Sequence, residues 1–305
     1  MLKTQKVSKR KARKTNLIVV PKNKKADLIK SQMVGFMDHA LEKVRLSRGR
    51  KRINPFNLLS SSVSKISTLE RTYSTSAGSV LIQNLAAALA NAHLGYAKTN
   101  HTVVGEINNE RMRRINKVLN DLENTTKKPD FKGELAYILD GKEKTTSTVI
   151  IHCDVFTVDK HRGHKREAVE CKSPLPNNDQ AKAAKEKILK LYSMEDPQVD
   201  EAYFVLNYNP YGDSREDYDW SPPLRWFNIR EGDSSILIGK EFWNKIGGKG
   251  TYELIGRISE EVRNEYEDVV NNEFLSDSDI YIPSPETLYV DILKLREHFN
   301  LKYHI

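Results

Sequence analysis

The chain has 305 residues, 38% of them apolar and 30% charged, with a net charge of +8 and a mean hydropathy of −0.60. That length suits one large domain or two modest ones and can bury a real core, which excludes collagenous and low-complexity classes. No run approaches the roughly 18 apolar residues of a membrane span, the N-terminus lacks the apolar core of a secretion signal, and two cysteines, Cys153 and Cys171, exclude a disulfide framework and suit a reducing compartment.

The charge is uneven. Residues 1–52 hold 17 Lys and Arg against Asp27, Asp38 and Glu42, a local +14, so the rest of the chain carries −6. A basic arm on an acidic body is the footprint of a polyanion partner, nucleic acid first, because such arms bind phosphate without reading sequence. A solubilising or targeting tail has the same composition. Residues 1–26 read as a disordered basic arm. Ile29, Met33, Phe36, Met37, Ala40 and Val44 then recur at helical steps, until Gly49 and Asn54-Pro55 break the pattern. The alanine-rich stretch 77–94 predicts a buried helix, and 106–122 predicts another through Ile115, Val118, Leu119 and Leu122. Residues 27–128 therefore read as a helical region, the natural place for a dimer interface.

The texture changes near Pro129. A short helix over 130–139 precedes the β-branched run 148–158, and a turn at Arg162-Gly163-His164 returns the chain into Ala168–Lys172 as an antiparallel hairpin. Pro174 and Pro176 stop that strand, and Asn177 or Asn178 caps a helix with Ala184, Ile188, Leu191 and Tyr192 on its buried face. A strand over Ala202–Leu206, the loop 207–223, strands at 225–229 and 235–238, and helices near 240–246 and 251–270 complete a core over 129–275. Ser284-Pro285 opens a helical tail within 276–305. The fold class is α+β: a helical N-terminal region plus a mixed sheet flanked by helices.

The chemistry concentrates in Asp154 and Glu170-Cys171-Lys172. Side chains at i and i+2 of a strand share a face, so Glu170 and Lys172 point the same way, and the hairpin brings Asp154 across from them. Two adjacent carboxylates make the hard-oxygen site that Mg²⁺ prefers, completed by water, a backbone carbonyl and phosphate. Such a cation offsets phosphate charge and acidifies water, and Lys172 is placed to orient or deprotonate that water and to steady the phosphorane. An acid followed by E-x-K also occurs on ordinary charged hairpins. Here, however, the pair sits in an otherwise apolar strand, ahead of a helix carrying Gln180, Lys182, Lys185, Lys187 and Lys190, which suits a phosphate backbone.

Glu170-Cys171-Lys172-Ser173-Pro174-Leu175-Pro176-Asn177 resembles the E-x-K-S-P-x-P-N signature of type II restriction endonucleases of the TdeIII type. The resemblance continues in order through three more stretches. These are Asn207-Tyr208-Asn209-Pro210-Tyr211-Gly212 with Arg215-Glu216-Asp217-Tyr218 and Trp220-Ser221, then Ile238-Gly239-Lys240-Glu241-Phe242-Trp243, then Ile246-Gly247-Gly248 with Gly250-Thr251-Tyr252-Glu253. Asn54-Pro55-Phe56 and Ser74-Thr75-Ser76-Ala77-Gly78 match weaker features. Val169 departs from the Phe or Leu usual before E-x-K, and the arm and the tail after 275 have no counterpart.

The resemblance implies a restriction-endonuclease-like PD-(D/E)xK core and Mg²⁺-dependent cutting of double-stranded DNA at a short palindrome, with a GC-rich GGNCC-like site and 5′-phosphate ends. It assigns Asp154, Glu170 and the Cys171 backbone carbonyl as metal ligands and Lys172 as the catalytic lysine. Glu134 becomes either a supporting or additional metal carboxylate or an exposed helix glutamate. It also implies a C₂ homodimer, a cognate DNA methyltransferase as genetic partner, and a prokaryotic cytoplasmic setting. Gln180 and Lys182 are candidate DNA contacts. In the loop, Arg215 is a candidate donor to guanine and Asp217 a candidate acceptor from cytosine, unless the two pair with each other. The competing readings are a repair or recombination nuclease on the same fold and a non-catalytic nucleic-acid-binding protein. His152, Cys153, His161, His164 and Cys171 lack zinc-ligand spacing, and the cysteines read as buried apolar side chains.

Overall fold

The computed structural model describes residues 25–48 and 80–272. Expectations placed on 1–24, 49–79 and 273–305 lie outside them, including most of the arm, the Asn54-Pro55-Phe56 and Ser74-Thr75-Ser76-Ala77-Gly78 blocks, and the tail. The N-terminal elements are α1 (Lys25–Arg48), α2 (Ile82–His93), β1 (Gly95–Asn108), α3 (Asn109–Glu123) and α4 (Phe131–Leu139). Next come β2 (Thr146–Asp159), β3 (Lys165–Lys172), α5 (Asn178–Tyr192) and β4 (Glu201–Leu206). The described chain closes with α6 (Ser221–Trp226), β5 (Ile236–Ile238), α7 (Lys240–Gly247) and α8 (Thr251–Val270). Among the described residues no helix is long and apolar enough to cross a membrane.

The five strands form one sheet in the order β1-β2-β3-β4-β5. The β1/β2 and β2/β3 pairs are antiparallel, while β3/β4 and β4/β5 are parallel. Strand periodicity divides the core in two. Ala168, Ala202, Phe204 and Leu206 join one cluster with Ile115 and Leu119 of α3, Ile188 of α5 and Trp226 of α6. Val169, Cys171, Tyr203 and Val205 join the other with Ile29 and Met33 of α1, Leu85 and Leu89 of α2, Trp243 of α7 and Ile258 of α8. The result is a mixed sheet between two helical layers, the expected α+β architecture.

Two elements differ from expectation. Where the first 125 residues read as helical, β1 pairs with β2 from Gly95↔Asp159 to Asn108↔Thr146, so the sheet itself begins in that region. The segment 225–229 is not a strand, because Pro222 and Pro223 open a helical turn through Trp226 instead. At the base of β3, the buried Glu167 carboxylate receives Lys245 of α7 at 2.7 Å, Arg162 at 3.0 Å and Thr157 at 3.2 Å. Burial pushes its carboxyl pKa up despite these partners. This network ties α7 to the hairpin at the end of β3 away from Lys172.

The pleat of β2 is interrupted at one place. Residues two apart on a regular strand share a face, yet Cys153 lies in the first cluster and Val155 in the second. The β1–β2 register passes from Thr99↔Val155 to His101↔Cys153 and skips Asn100 and Asp154. Asn100 has a left-handed φ of 52°, a region that asparagine tolerates and β-branched residues do not. Asn100→Val should therefore cost about 1–2 kcal/mol, whereas Asn100→Gly should stay near wild type. Urea unfolding midpoints of the two variants check this, and equal midpoints would count against the strain.

Candidate active site

The β2–β3 ladder ends at Val155↔Val169, after which the strands diverge. Asp154 is the next residue on β2, and its Oδ2 accepts the Cys171 backbone N–H at 2.8 Å. A carboxylate thus fills the fork where the partner carbonyl is missing. Cys171 lies between Glu170 and Lys172, so this bond also sets Asp154 beside both. The Lys172 Nζ lies 2.6 Å from Glu170 Oε1 and 3.7 Å from Asp154 Oδ2. The three residues that the sequence singled out therefore do meet.

Electrostatics follow from this crowding. Burial raises the Asp154 pKa, and the neighbouring Glu170 charge adds to the rise, while Lys172 and the Cys171 amide pull the other way. Burial alone would lower the Lys172 pKa, but its attraction and hydrogen bond to Glu170, with Asp154 nearby, hold it above the ordinary lysine value. Both carboxylates thus favour the ammonium form of Lys172. Among the described residues no group of three or more His, Cys, Asp or Glu is arranged to hold a metal. Asp154 and Glu170 nevertheless offer a desolvated, oxygen-only pair. That donor set fits a hard divalent cation that fills its remaining positions with water, main-chain carbonyl and phosphate.

Two further side chains reach the site. Gln83 of α2 donates from Nε2 to Asp154 Oδ1 at 2.8 Å, so both Asp154 oxygens are held. It was legible in principle: Gln83, Ala86, Ala87 and Ala90 are all buried, at i, i+3, i+4 and i+7, and a polar residue on such a stripe needs a buried partner. Lys187 of α5 donates to Glu170 Oε2 at 2.7 Å and to the His152 carbonyl at 3.1 Å. The sequence pointed Lys187 toward a phosphate backbone and did not place it on Glu170.

The remaining site expectations fare differently. Glu134 is paired with Lys185 of α5 at 2.5 Å. Lys185 is fully buried, with Phe131 and Phe227 rings beside its ammonium, and so does not face a phosphate backbone. Gln180 accepts the Asn177 N–H at 3.0 Å within a capping box at the start of α5, and Lys182 pairs with Glu123 at 2.7 Å. In the loop, Arg215 and Asp217 are engaged to different degrees. The Arg215 Nε and Nη2 donate to Glu241, and its Nη1 and Nη2 also donate to the carbonyls of Ile229, Asp233 and Ile236. All five of its N–H donors are engaged, leaving none for a guanine edge. Asp217 caps the adjacent turn through Ser214 N and Oγ, and the two residues do not pair with each other. Cys153 and Cys171 are buried free thiols, and burial pushes Cys153 up to about 12 and Cys171 well above its ordinary value.

The motif blocks converge at the end of the sheet where β3 and β4 finish. Lys172 pairs with Leu206, and Leu206 with Ile238, so the loops after all three strands are neighbours. Tyr218 Oη donates to the Pro174 carbonyl and Trp220 Nε1 to the Pro176 carbonyl, both at 2.8 Å. Trp243 Nε1 donates to the Asn207 carbonyl at 2.8 Å. Gly239 has φ 47°, and a Cβ there would stand 3.3 Å from the Tyr208 Cα, so glycine suits both the turn and the close approach.

A mixed sheet between helices, with an acid, E-x-K and a supporting glutamine at the fork of its central strands, is a restriction-endonuclease-like fold. The HinfI family of type II restriction endonucleases matches residues 21–263, and the chain belongs to that family. Among curated proteins it is similar to the type II restriction enzymes HgiEI (26% identical over 220 residues), HgiCII (23% over 222) and HgiBI (25% over 220), all from Herpetosiphon aurantiacus. Each alignment covers 69% of this chain and 77% of the relative. No solved structure matches the chain significantly. The type II restriction assignment read from the motifs therefore stands, with HinfI as the family that the comparison names.

The Glu134–Lys185 pair gives a test of whether Glu134 serves structure or metal. Lys185→Ala leaves a buried carboxylate unpaired and should cost about 3–5 kcal/mol. Lys185→Met combined with Glu134→Leu should recover most of that loss and still cut DNA. A double variant that is stable but cannot cut would return Glu134 to the metal site.

Proposed function

We propose that the chain is a Mg²⁺-dependent endonuclease that hydrolyses phosphodiesters of double-stranded DNA at a short palindrome, leaving 5′-phosphates. The observation that carries this reading is the meeting of Asp154, Glu170 and Lys172 at the strand fork, in a member of a restriction endonuclease family. Asp154 and Glu170, with the Cys171 carbonyl, would hold the cation, which supplies charge neutralisation at the phosphate and a more acidic water. Gln83 and the Cys171 amide fix the Asp154 carboxylate so that it needs no reorganisation when substrate arrives. Lys172 presents a protonated ammonium beside both carboxylates, where it stabilises negative charge developing on the attacked phosphate.

The duplex lies across the ends of β3 and β4. Leu175, Tyr208 and Tyr211 are exposed there, on loops that are otherwise tied down. Asn209 alone accepts the Tyr211 N–H at 3.0 Å and donates to the Ser214 carbonyl at 2.7 Å. Rigid exposed aromatics of this kind act as contact anchors, and they stand beside Asp217, which is exposed on the same loop, whereas the Arg215 donors are all engaged. Cutting both strands of a palindrome calls for a C₂ homodimer, and the basic arm adds sequence-independent phosphate binding. A cognate methyltransferase and a prokaryotic cytoplasm complete the setting.

Digestion of a sequenced plasmid tests the reading. Mg²⁺ should give discrete fragments whose ends reveal the site, Ca²⁺ should give binding without cutting, and Asp154→Ala should abolish the fragments. Lys172→Ala should slow cutting by about 10²–10³-fold without loss of the gel shift. Cutting only at branched or damaged DNA would favour a repair nuclease, and a shift without cutting in Mg²⁺ would favour a non-catalytic binder. Separately, Tyr208→Ala and Tyr211→Ala should each weaken the Ca²⁺-supported shift by about fivefold or more. Unchanged shifts for both would move the duplex elsewhere.

A further inference from the structure

Charge at the site is balanced within the protein. Two carboxylates, Asp154 and Glu170, meet two ammoniums, Lys172 and Lys187. Each Glu170 oxygen carries one of them, Oε1 the Lys172 nitrogen at 2.6 Å and Oε2 the Lys187 nitrogen at 2.7 Å. These are the lone pairs that a divalent cation uses. Lys172 shares its strand with Glu170 and lies 2.6 Å from it and 3.7 Å from Asp154, so the backbone itself keeps it near both acids. Lys187 is differently placed. It comes from α5, its side chain is about a third exposed, and it has the His152 carbonyl at 3.1 Å as a second acceptor. Its ammonium can leave Glu170 and still be hydrogen-bonded and solvated.

We propose that Lys187 competes with a divalent cation for Glu170 Oε2 and so sets how tightly the site takes one. The inference rests on Asp154 and Glu170 being the cation ligands. Before a cation binds, Lys187 neutralises the carboxylate pair and holds Glu170 in position. When a cation takes the oxygen, the two positive groups repel and Lys187 retreats toward His152 and solvent. Lys187 is thus a positioning residue, acting on the cation through Glu170. Its removal should tighten cation binding, the opposite of what a damaged site does.

The test is titration with Mn²⁺ alone, without DNA, with free Mn²⁺ read by electron paramagnetic resonance. Wild type is compared with Lys187→Gln, Lys187→Arg and Asp154→Ala. Glutamine keeps an N–H donor on the same face of α5 but removes the charge; arginine keeps the charge. Binding lost in Asp154→Ala defines the site. Lys187→Gln should bind Mn²⁺ there about tenfold more tightly, and Lys187→Arg should stay close to wild type. Equal or weaker binding by Lys187→Gln, in protein with wild-type circular dichroism, overturns the competition while leaving the ligand assignment intact. If wild type and Asp154→Ala take up Mn²⁺ alike, the ligand assignment fails first and the competition with it.

Discussion

The functional geometry depends on one bond, the Cys171 amide donated to the Asp154 carboxylate. Where β2 and β3 part, a backbone N–H loses its ladder partner, and a buried orphan of that kind is costly. Asp154 supplies the acceptor with a full charge, which makes the bond stronger than the one it replaces. Because Glu170 and Lys172 flank Cys171, satisfying the amide places three charged groups together. The left-handed Asn100 and the interrupted pleat of β2 serve the same end. They turn residue 154 out of the regular alternation and into the fork.

The same accounting of backbone groups explains why stretches far apart in sequence travel together. The turn after β3 holds Pro174 and Pro176, which donate nothing and expose carbonyls near a packed core. Tyr218 and Trp220, more than forty positions later, satisfy those carbonyls. Trp243 does the same for Asn207, and Arg215 collects three further carbonyls with Glu241. The ordered motifs are therefore largely the hydrogen-bond partners of one set of loops. Their shared effect is to tie down the end of β3, where Glu170 and Lys172 stand.

Local patterns showed what they encode and no more. The β2–β3 hairpin, β4, α5, α7 and α8 were legible because each buries a regular stripe, and the Asp154–Glu170–Lys172 grouping followed from the hairpin. Strand β1 was not legible, since it lies at the sheet edge and carries Lys98, Asn100, His101 and Glu106 among its apolar positions. Its half-buried run resembles a loop between two stronger helices. The partners of Arg215 were hidden for a tertiary reason: a loop arginine looks exposed until Glu241 and three carbonyls arrive from elsewhere. Gln83 lay in a helix correctly read as buried, and only the need of a buried amide for a partner marked it out. Lys187 could not be placed from spacing alone, because its contact depends on how α5 crosses the sheet.

On the proposed function, electrostatics decide how DNA can approach this site. Outside residues 1–52 the chain carries a net −6, and a phosphate backbone would be repelled by two bare carboxylates in a low-dielectric fork. Lys172 and Lys187 cancel that local charge, so the fork presents itself as neutral. On that function, a divalent cation would turn this neutral fork positive where a phosphate would sit, and that phosphate would give a displaced ammonium a new partner. Cation and DNA would then favour each other's binding by reciprocal amounts, and the net +14 of residues 1–52 would supply the long-range attraction. A site built and used in this way would turn positive, and so attract a phosphate, only once a cation is bound.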